Sequence, residues 1–370
     1  MRLLLIVLLT MTACSIPTPS TSISTHEFGI TAEGAPITAV SLQNTTGVKV
    51  TLSSLGASIV GIQVPDSDGQ FEDVVLGYDS GEGYAEDRSF FGYTVGRYAN
   101  RIAGGSFVID GKRYHVDKNE GQNHLHGGHG GFHTKNWSTE ISHDVERPTA
   151  TFTLTSHDGE QGFPGTASIK AIYSLHPDNS LHIELRATST APTVINLTNH
   201  AYFNLSGAGN GDILDHTLSL NSSQYTPTTD DLIPTGEIHS TAGTYLDFTR
   251  PVAVGSRRTL WPKKLPGYDH NFILNGERGT LRSAATLVDP KSGRALEVLT
   301  TAPGIQVYSG IHLNDVQGKG GRLYKRYGGI CLEAQNFPDA PNKPEFPSPI
   351  LRPGEEYKNT IIYRFFTKPR

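Results

Sequence analysis

From Val48 onward the chain is cut into short runs of alternating polarity, each closed by Gly, Pro, Asn or Asp, and no window sustains a helical period. Side chains along a strand point alternately to its two faces, so such runs read as half-buried strands. Strands are expected at 48–52, 57–64, 151–155, 167–175, 181–185, 216–220, 295–301, 305–309, 328–335 and 357–366, with a hairpin over 107–114 about Asp110-Gly111. A helical turn or two fits only at 84–90 or after Pro251. The 40 glycines and 22 prolines supply the turns such a chain needs. Many closely spaced strands without alternating helices predict an all-β fold, a large antiparallel β-sandwich. No internal repeat and no second linker divides it, so 26–370 reads as one domain.

The first 25 residues are a separate object. Arg2 precedes the apolar run Leu3-Leu4-Leu5-Ile6-Val7-Leu8-Leu9, which is too short to span a bilayer, and Met11-Thr12-Ala13 leads into Cys14. This resembles the lipobox of bacterial lipoproteins, with Met11 where Leu is usual, and implies a signal segment over 1–14 ending at a lipidated Cys14. Conventional signal-peptide cleavage nearby is the alternative. Residues 15–25, rich in Ser, Thr and Pro, read as a tether. Export to the periplasm or a membrane-anchored lipoprotein is the expectation. With Cys14 acylated, Cys331 has no intramolecular partner, so core burial rather than disulfides must hold the fold. Net charge is −5 with no basic run, which argues against a nucleic-acid partner.

Chemistry-bearing residues gather in six places. In 194–205, one strand face would carry Asn196, Thr198, His200, Tyr202 and Asn204. That row suits either the floor of a site for a hydroxyl-rich ligand or a solvated face. In Gly96-Arg97-Tyr98-Ala99-Asn100-Arg101-Ile102 the arginines are ordinary structural charges or, with Asn100, forked donors matched to vicinal hydroxyls. His124, His126, His129 and His133 share a glycine-rich loop whose spacing matches no zinc signature. It reads better as bare backbone approaching a ligand with one imidazole aimed at it. Asp269 follows a Pro-Gly turn, and Gln306 and Tyr308 share a strand face. Glu333 lies between Leu332 and Ala334 in an apolar strand, where a carboxylate is expensive unless paired with an arginine or used.

In this order the segments resemble the aldose 1-epimerase (galactose mutarotase) family. The matching pieces are Gly96-Arg97 with Ala99-Asn100-Arg101-Ile102, Leu125-His126-Gly127-Gly128, and Thr198 through Leu205. They continue with Asp269-His270-Asn271-Phe272, Pro303 through Tyr308, Cys331 through Ala340, and Leu351-Arg352-Pro353-Gly354-Glu355-Glu356-Tyr357. Ala201 stands where the family often carries Ser. The resemblance implies a β-supersandwich with a sugar cleft, and interconversion of the anomers of free aldoses such as galactose and glucose. It implies Glu333 as general base and His200 as general acid. Asn100, Arg101, His126, Tyr202, Asp269 and Gln306 would then hold sugar hydroxyls, with no metal or other cofactor. For proton exchange with a hemiacetal, the expected resting state is a substantially protonated His200 beside an ionised Glu333. The alternatives are a non-catalytic sugar-binding lipoprotein, a hexose-phosphate epimerase, and a glycoside-cleaving enzyme using Glu333 with Asp269.

Overall fold

The computed structural model describes residues 20–369 apart from 143 and 145. Two large antiparallel sheets, of nine and six strands, dominate it, beside a five-stranded sheet from Ser22–Ile30 to Phe71–Asp73. Near the centre of the nine-stranded sheet, Ala167–Leu175 buries Ala167, Ile169, Ala171, Tyr173 and Leu175. Its neighbour Ser180–Ser189 buries Leu181, Ile183, Leu185 and Ala187, with Ala171 opposite Leu185. Period-two alternation therefore delivers one apolar face per strand.

The six-stranded sheet meets that face and carries the cavity described below. Within it Asp269–Leu274, Gly304–Tyr308 and Ile330–Gln335 lie side by side, with Tyr202–Phe203 at the edge. Phe272, Leu274, Ile305, Val307, Ile330, Leu332 and Ala334 enter the main core beside Ile183 and Leu185 of the larger sheet. Burying each of the larger aliphatic side chains contributes about 2 kcal/mol. The intervening residues Asp269, Gln306, Tyr308, Cys331 and Glu333 must then point the other way. Register lines them up: Asp269 opposite Tyr308, Gln306 opposite Glu333, and Tyr308 opposite Cys331.

The hairpin expected about Asp110-Gly111 is present, pairing Ser106–Ile109 with Lys112–His115. Both turn residues have positive φ, 51° and 79°, as a two-residue hairpin turn requires. Helix is confined among the described residues to Gly81–Ala85 and short 3-10 turns such as Arg258–Leu260.

Two readings need correction. Ser22–Thr25, placed in the tether by composition, belong to the strand Ser22–Ile30, which pairs with Pro36–Gln43 while Ile23 packs against the main core. Cys14 and residues 15–19 lie outside the described residues. The stretch 194–205 is not one alternating strand. It is broken into Thr193–Val194, Thr198–Asn199 and Tyr202–Phe203, each paired with a different partner and buried on both faces.

Leu332→Ala removes core contact directly behind Glu333 and should lower unfolding free energy by about 2–5 kcal/mol in denaturant titration. A change below about 1 kcal/mol would mean that this face of the strand is not tightly packed.

Candidate active site

The polar face of the six-stranded sheet floors a cavity of about 350 Å³. Its lining includes Asn100, Arg101, His126, His200, Tyr202, Asp269, Tyr308 and Glu333. Seven of the eight site residues read from the sequence of the folded domain thus meet in one place. Gln306 stands behind, its Nε2 donating to Asp269 Oδ1 at 2.5 Å. It holds the carboxylate that faces the cavity, leaving the second oxygen of Asp269 for a ligand.

His200 sits between short strands, and its Nε2 lies 3.7 Å from Glu333 Oε2. Both side chains are almost wholly buried, 6% and 2% exposed, so water does not screen them. Glu333 forms no ion pair with an arginine among the described residues, and its Oε2 has no hydrogen-bond partner. Burial, reinforced by the neighbouring Asp269 charge and opposed by Arg101, pushes its carboxyl well above the ordinary value. Burial likewise pushes the His200 imidazole down. Both directions run against the expected resting state of imidazolium beside carboxylate. Within the pair the single proton favours the carboxyl, because both groups are buried and neither charge is solvated.

Asn100 and His126 form a reciprocal unit. The strand pair of Arg101–Ile102 with His124–Leu125 brings them together, and both adopt left-handed φ, 62° and 50°. The Asn100 N–H donates to His126 Nδ1 at 3.1 Å, and the His126 N–H donates to the Asn100 carbonyl at 3.1 Å. With Nδ1 accepting, Nε2 of neutral His126 carries the proton and is a donor. Burial, with the Arg101 charge adding to it, pushes this imidazole well below its usual value and keeps it neutral. Asn100 Oδ1 accepts the Arg101 N–H at 2.9 Å, which leaves its amide NH₂ for a ligand.

Gly127 follows at φ 90°, and an added Cβ would come within 1.9 Å of the Gly96 carbonyl oxygen. Only glycine lets this loop close down beside the arginine segment.

Arg101 is fixed by Glu120, which accepts from Nε at 2.6 Å and from Nη2 at 2.5 Å. Burial works against its charge, but Asp269 and Glu120 outweigh burial and hold the guanidinium above its usual value. The Nη1 side remains for substrate. Asp269 itself is pushed up by burial, with Arg101 opposing.

Tyr202 differs from expectation. Its ring lies 5.2 Å from that of His200, but its hydroxyl donates to the Ser89 carbonyl at 2.8 Å. It offers a ring wall and a lone pair rather than a free donor. The rest of that polar row is structural: Asn196 donates to the Ala99 carbonyl, Thr198 to the Ala334 carbonyl, and Asn204 to the Gly211 and Gly328 carbonyls.

The four loop histidines diverge. His124 is buried with Nδ1 2.6 Å from the Asp117 carbonyl oxygen, His129 is exposed beside the Asp117 carboxylate, and His133 packs on Phe90. His126, His200 and Glu333 do place potential ligand atoms within 4.8 Å of one another. The Asn100 N–H on His126 Nδ1 commits its other nitrogen to donation, so the trio suits hydroxyl groups better than a metal ion.

Sequence reasoning missed Phe90 and Glu120. Phe90 packs at an angle against His126, His133 and His200, with ring centroids 4.8, 4.8 and 5.9 Å away. It lay in a segment read only as a helical turn, and an isolated Glu120 carries no motif.

Residues 38–364 match the family model described as Aldose 1-epimerase. The chain is 42% identical to the galactose mutarotase of Bos taurus over 320 residues, which covers 86% of this chain and 91% of that protein. It is 37% identical to the aldose 1-epimerase of Escherichia coli K12 over 340 residues, covering 91% and 97%. The crystal structure of galactose 1-epimerase from Lactobacillus acidophilus NCFM superposes with a TM-score of 0.84 at 30% identity, covering 95% of this chain and all of that one.

Proposed function

The chain belongs to the aldose 1-epimerase family, and from that premise we propose that it interconverts the α and β anomers of free hexoses such as galactose and glucose, with Glu333 and His200 as its proton-exchanging pair. The observation that carries the residue assignment is the buried approach of His200 Nε2 to Glu333 Oε2 at 3.7 Å in a cavity lined by hydroxyl-binding groups.

The anomeric hydroxyl is a weak acid and the ring oxygen a weak base, so opening the hemiacetal needs an acceptor at one and a donor at the other. Sugar oxygens entering the cavity supply polar partners to a pair that the protein itself leaves poorly solvated. The proton then moves to the imidazole, leaving Glu333 to accept the O1 proton while His200 donates to the ring oxygen. The ring opens to the aldehyde, the C1–C2 bond rotates, and closure on the other carbonyl face reverses both transfers. After opening, the pair is again neutral imidazole and protonated carboxyl, the state burial favours. The Asn100 amide, Arg101 Nη1, His126 Nε2 and Asp269 Oδ2 hold the remaining hydroxyls during rotation, and no net proton is consumed.

Glu333→Gln and His200→Asn should each lower turnover by about 10²–10⁴-fold while galactose still binds. Polarimetry of freshly dissolved α-galactose, paired with calorimetric titration, reads both quantities. Near wild-type turnover in Glu333→Gln would place the base elsewhere. Binding without any acceleration by the wild-type chain would instead favour a sugar-binding protein, and release of reducing sugar from an oligosaccharide would favour glycoside cleavage.

The pair works with one shared proton, so activity should follow a bell-shaped pH profile. The doubly protonated form lacks a base and appears as pH falls through the lowered His200 value, placing the acid limb below the ordinary imidazole range. The doubly deprotonated form lacks an acid and appears as pH rises through the raised Glu333 value, placing the alkaline limb above the ordinary carboxylate range. A flat profile from acid to neutral pH would contradict the pairing.

We also propose, from the sequence of residues 1–14, that the chain is exported and anchored through a lipid on Cys14. Labelled fatty acid should enter the wild-type chain and not Cys14→Ser; equal labelling of both would reject the anchor.

A further inference from the structure

Cys331 and Glu333 stand two residues apart on one face of the strand Ile330–Gln335, and the His200 imidazole lies across both. Glu333 Oε2 faces Nε2 at 3.7 Å, and Cys331 Sγ faces Nδ1 at 3.6 Å. Cys331 is the side chain that meets Nδ1, and the imidazole also has a hydrogen-bond contact with the backbone of His200 itself. The mechanism above uses Nε2 and leaves Nδ1 unexplained. Tyr202, two residues beyond His200, pairs with Cys331 in register, so backbone hydrogen bonding fixes the sulfur against the ring.

We infer that Cys331 is a positioning residue for the reaction: its sulfur accepts the Nδ1–H of His200, holding the imidazole in the tautomer and orientation that keep Nε2 on the ring oxygen. This rests on the reading of His200 as the acid. An imidazole that donates from Nε2 and later takes the proton back must keep its other proton on Nδ1 throughout. A thiol sulfur meets that need as a weak acceptor. Burial pushes the Cys331 thiol well above its ordinary value, so the sulfur remains a neutral thiol. A carboxylate there would over-stabilise the imidazolium and weaken it as an acid; an apolar side chain would remove the sulfur acceptor and leave the ring less firmly oriented.

The other groups around the ring are accounted for. Glu333 faces it from the same strand as Cys331, and Tyr202 from its own segment. His126 lies 5.2 Å away on the loop, with His133 behind Phe90. Burial pushes His126 and His133 down as well, and any charge on either would be a like charge that opposes the imidazolium.

Initial-rate polarimetry across pH on Cys331→Ala, Cys331→Val and Cys331→Ser tests this. In the Ala and Val variants kcat should fall about tenfold, the worth of one hydrogen bond to a charged group, with KM within about twofold. Losing the acceptor lowers the imidazolium pKa, so the acid limb should move about one unit to lower pH. Cys331→Ser, which restores an acceptor, should recover most of kcat and return the limb toward its original position. In a His200→Asn background, Cys331→Ala should cost nothing further.

If Cys331→Ala does not fold, Val against Ser reads the same comparison. Wild-type kcat and limb in Ala and Val, a Ser variant no better than Val, or an equal loss in the His200→Asn background would each overturn the proposal. Normal turnover in His200→Asn alone would overturn the acid assignment and this inference with it.

Discussion

A carboxyl group buried in a β-sheet without a cation to pair with it is the constraint around which the rest of the molecule is arranged. Leaving Glu333 charged at 2% exposure would cost several kcal/mol, and the structure lets it keep a proton instead. Arg101, the guanidinium whose charge favours the ionised carboxylate, is claimed in a fork by Glu120. That arrangement leaves the proton mobile between carboxyl and imidazole. A direct bond to arginine would have tied the carboxylate down as an anion and taken it out of proton exchange. The pair therefore carries no net charge, and a neutral sugar meets a neutral pair.

The core supplies the stiffness this requires. On Gly304–Tyr308 and Ile330–Gln335 every other side chain is packed against the nine-stranded sheet, so the site residues cannot rotate off their face without unpacking Ile305, Val307, Leu332 or Ala334. The hydroxyl-binding groups are held differently. Asn100, Arg101 and His126 sit on short paired segments and left-handed residues, where mutual backbone hydrogen bonds do the fixing.

What the sequence revealed follows the same division. Alternation marked the strands of both sheets, including 167–175 to the residue, because one-sided burial writes itself directly into residue order. Glu333 stood out because a charge inside an apolar run is unusual. The 194–205 stretch misled for a physical reason. Its Asn and Thr side chains satisfy backbone carbonyls of neighbouring segments, and a polar residue spent on the backbone looks in sequence like one facing solvent or ligand. Tyr202 was placed correctly but its hydroxyl was already engaged by Ser89, a partner 113 residues away in the chain. Glu120 and Phe90 were invisible because their roles depend wholly on what the fold brings beside them. The proton's preferred position was equally hidden, since solvation is a property of the packed cavity.

The chain segments that meet in the cavity come from sequence positions as distant as Asn100 and Glu333, yet acid and base approach to 3.7 Å, inside the spacing of neighbouring strands. Their separation is thus a lattice constant of the sheet, whereas the grip on the sugar's other oxygens depends on loop closure. Warming, dilute denaturant or drift in loop sequence would loosen recognition long before it disturbed the chemistry. A lineage of such proteins has room to trade one sugar for another at the rim while the proton-handling centre stays the same machine.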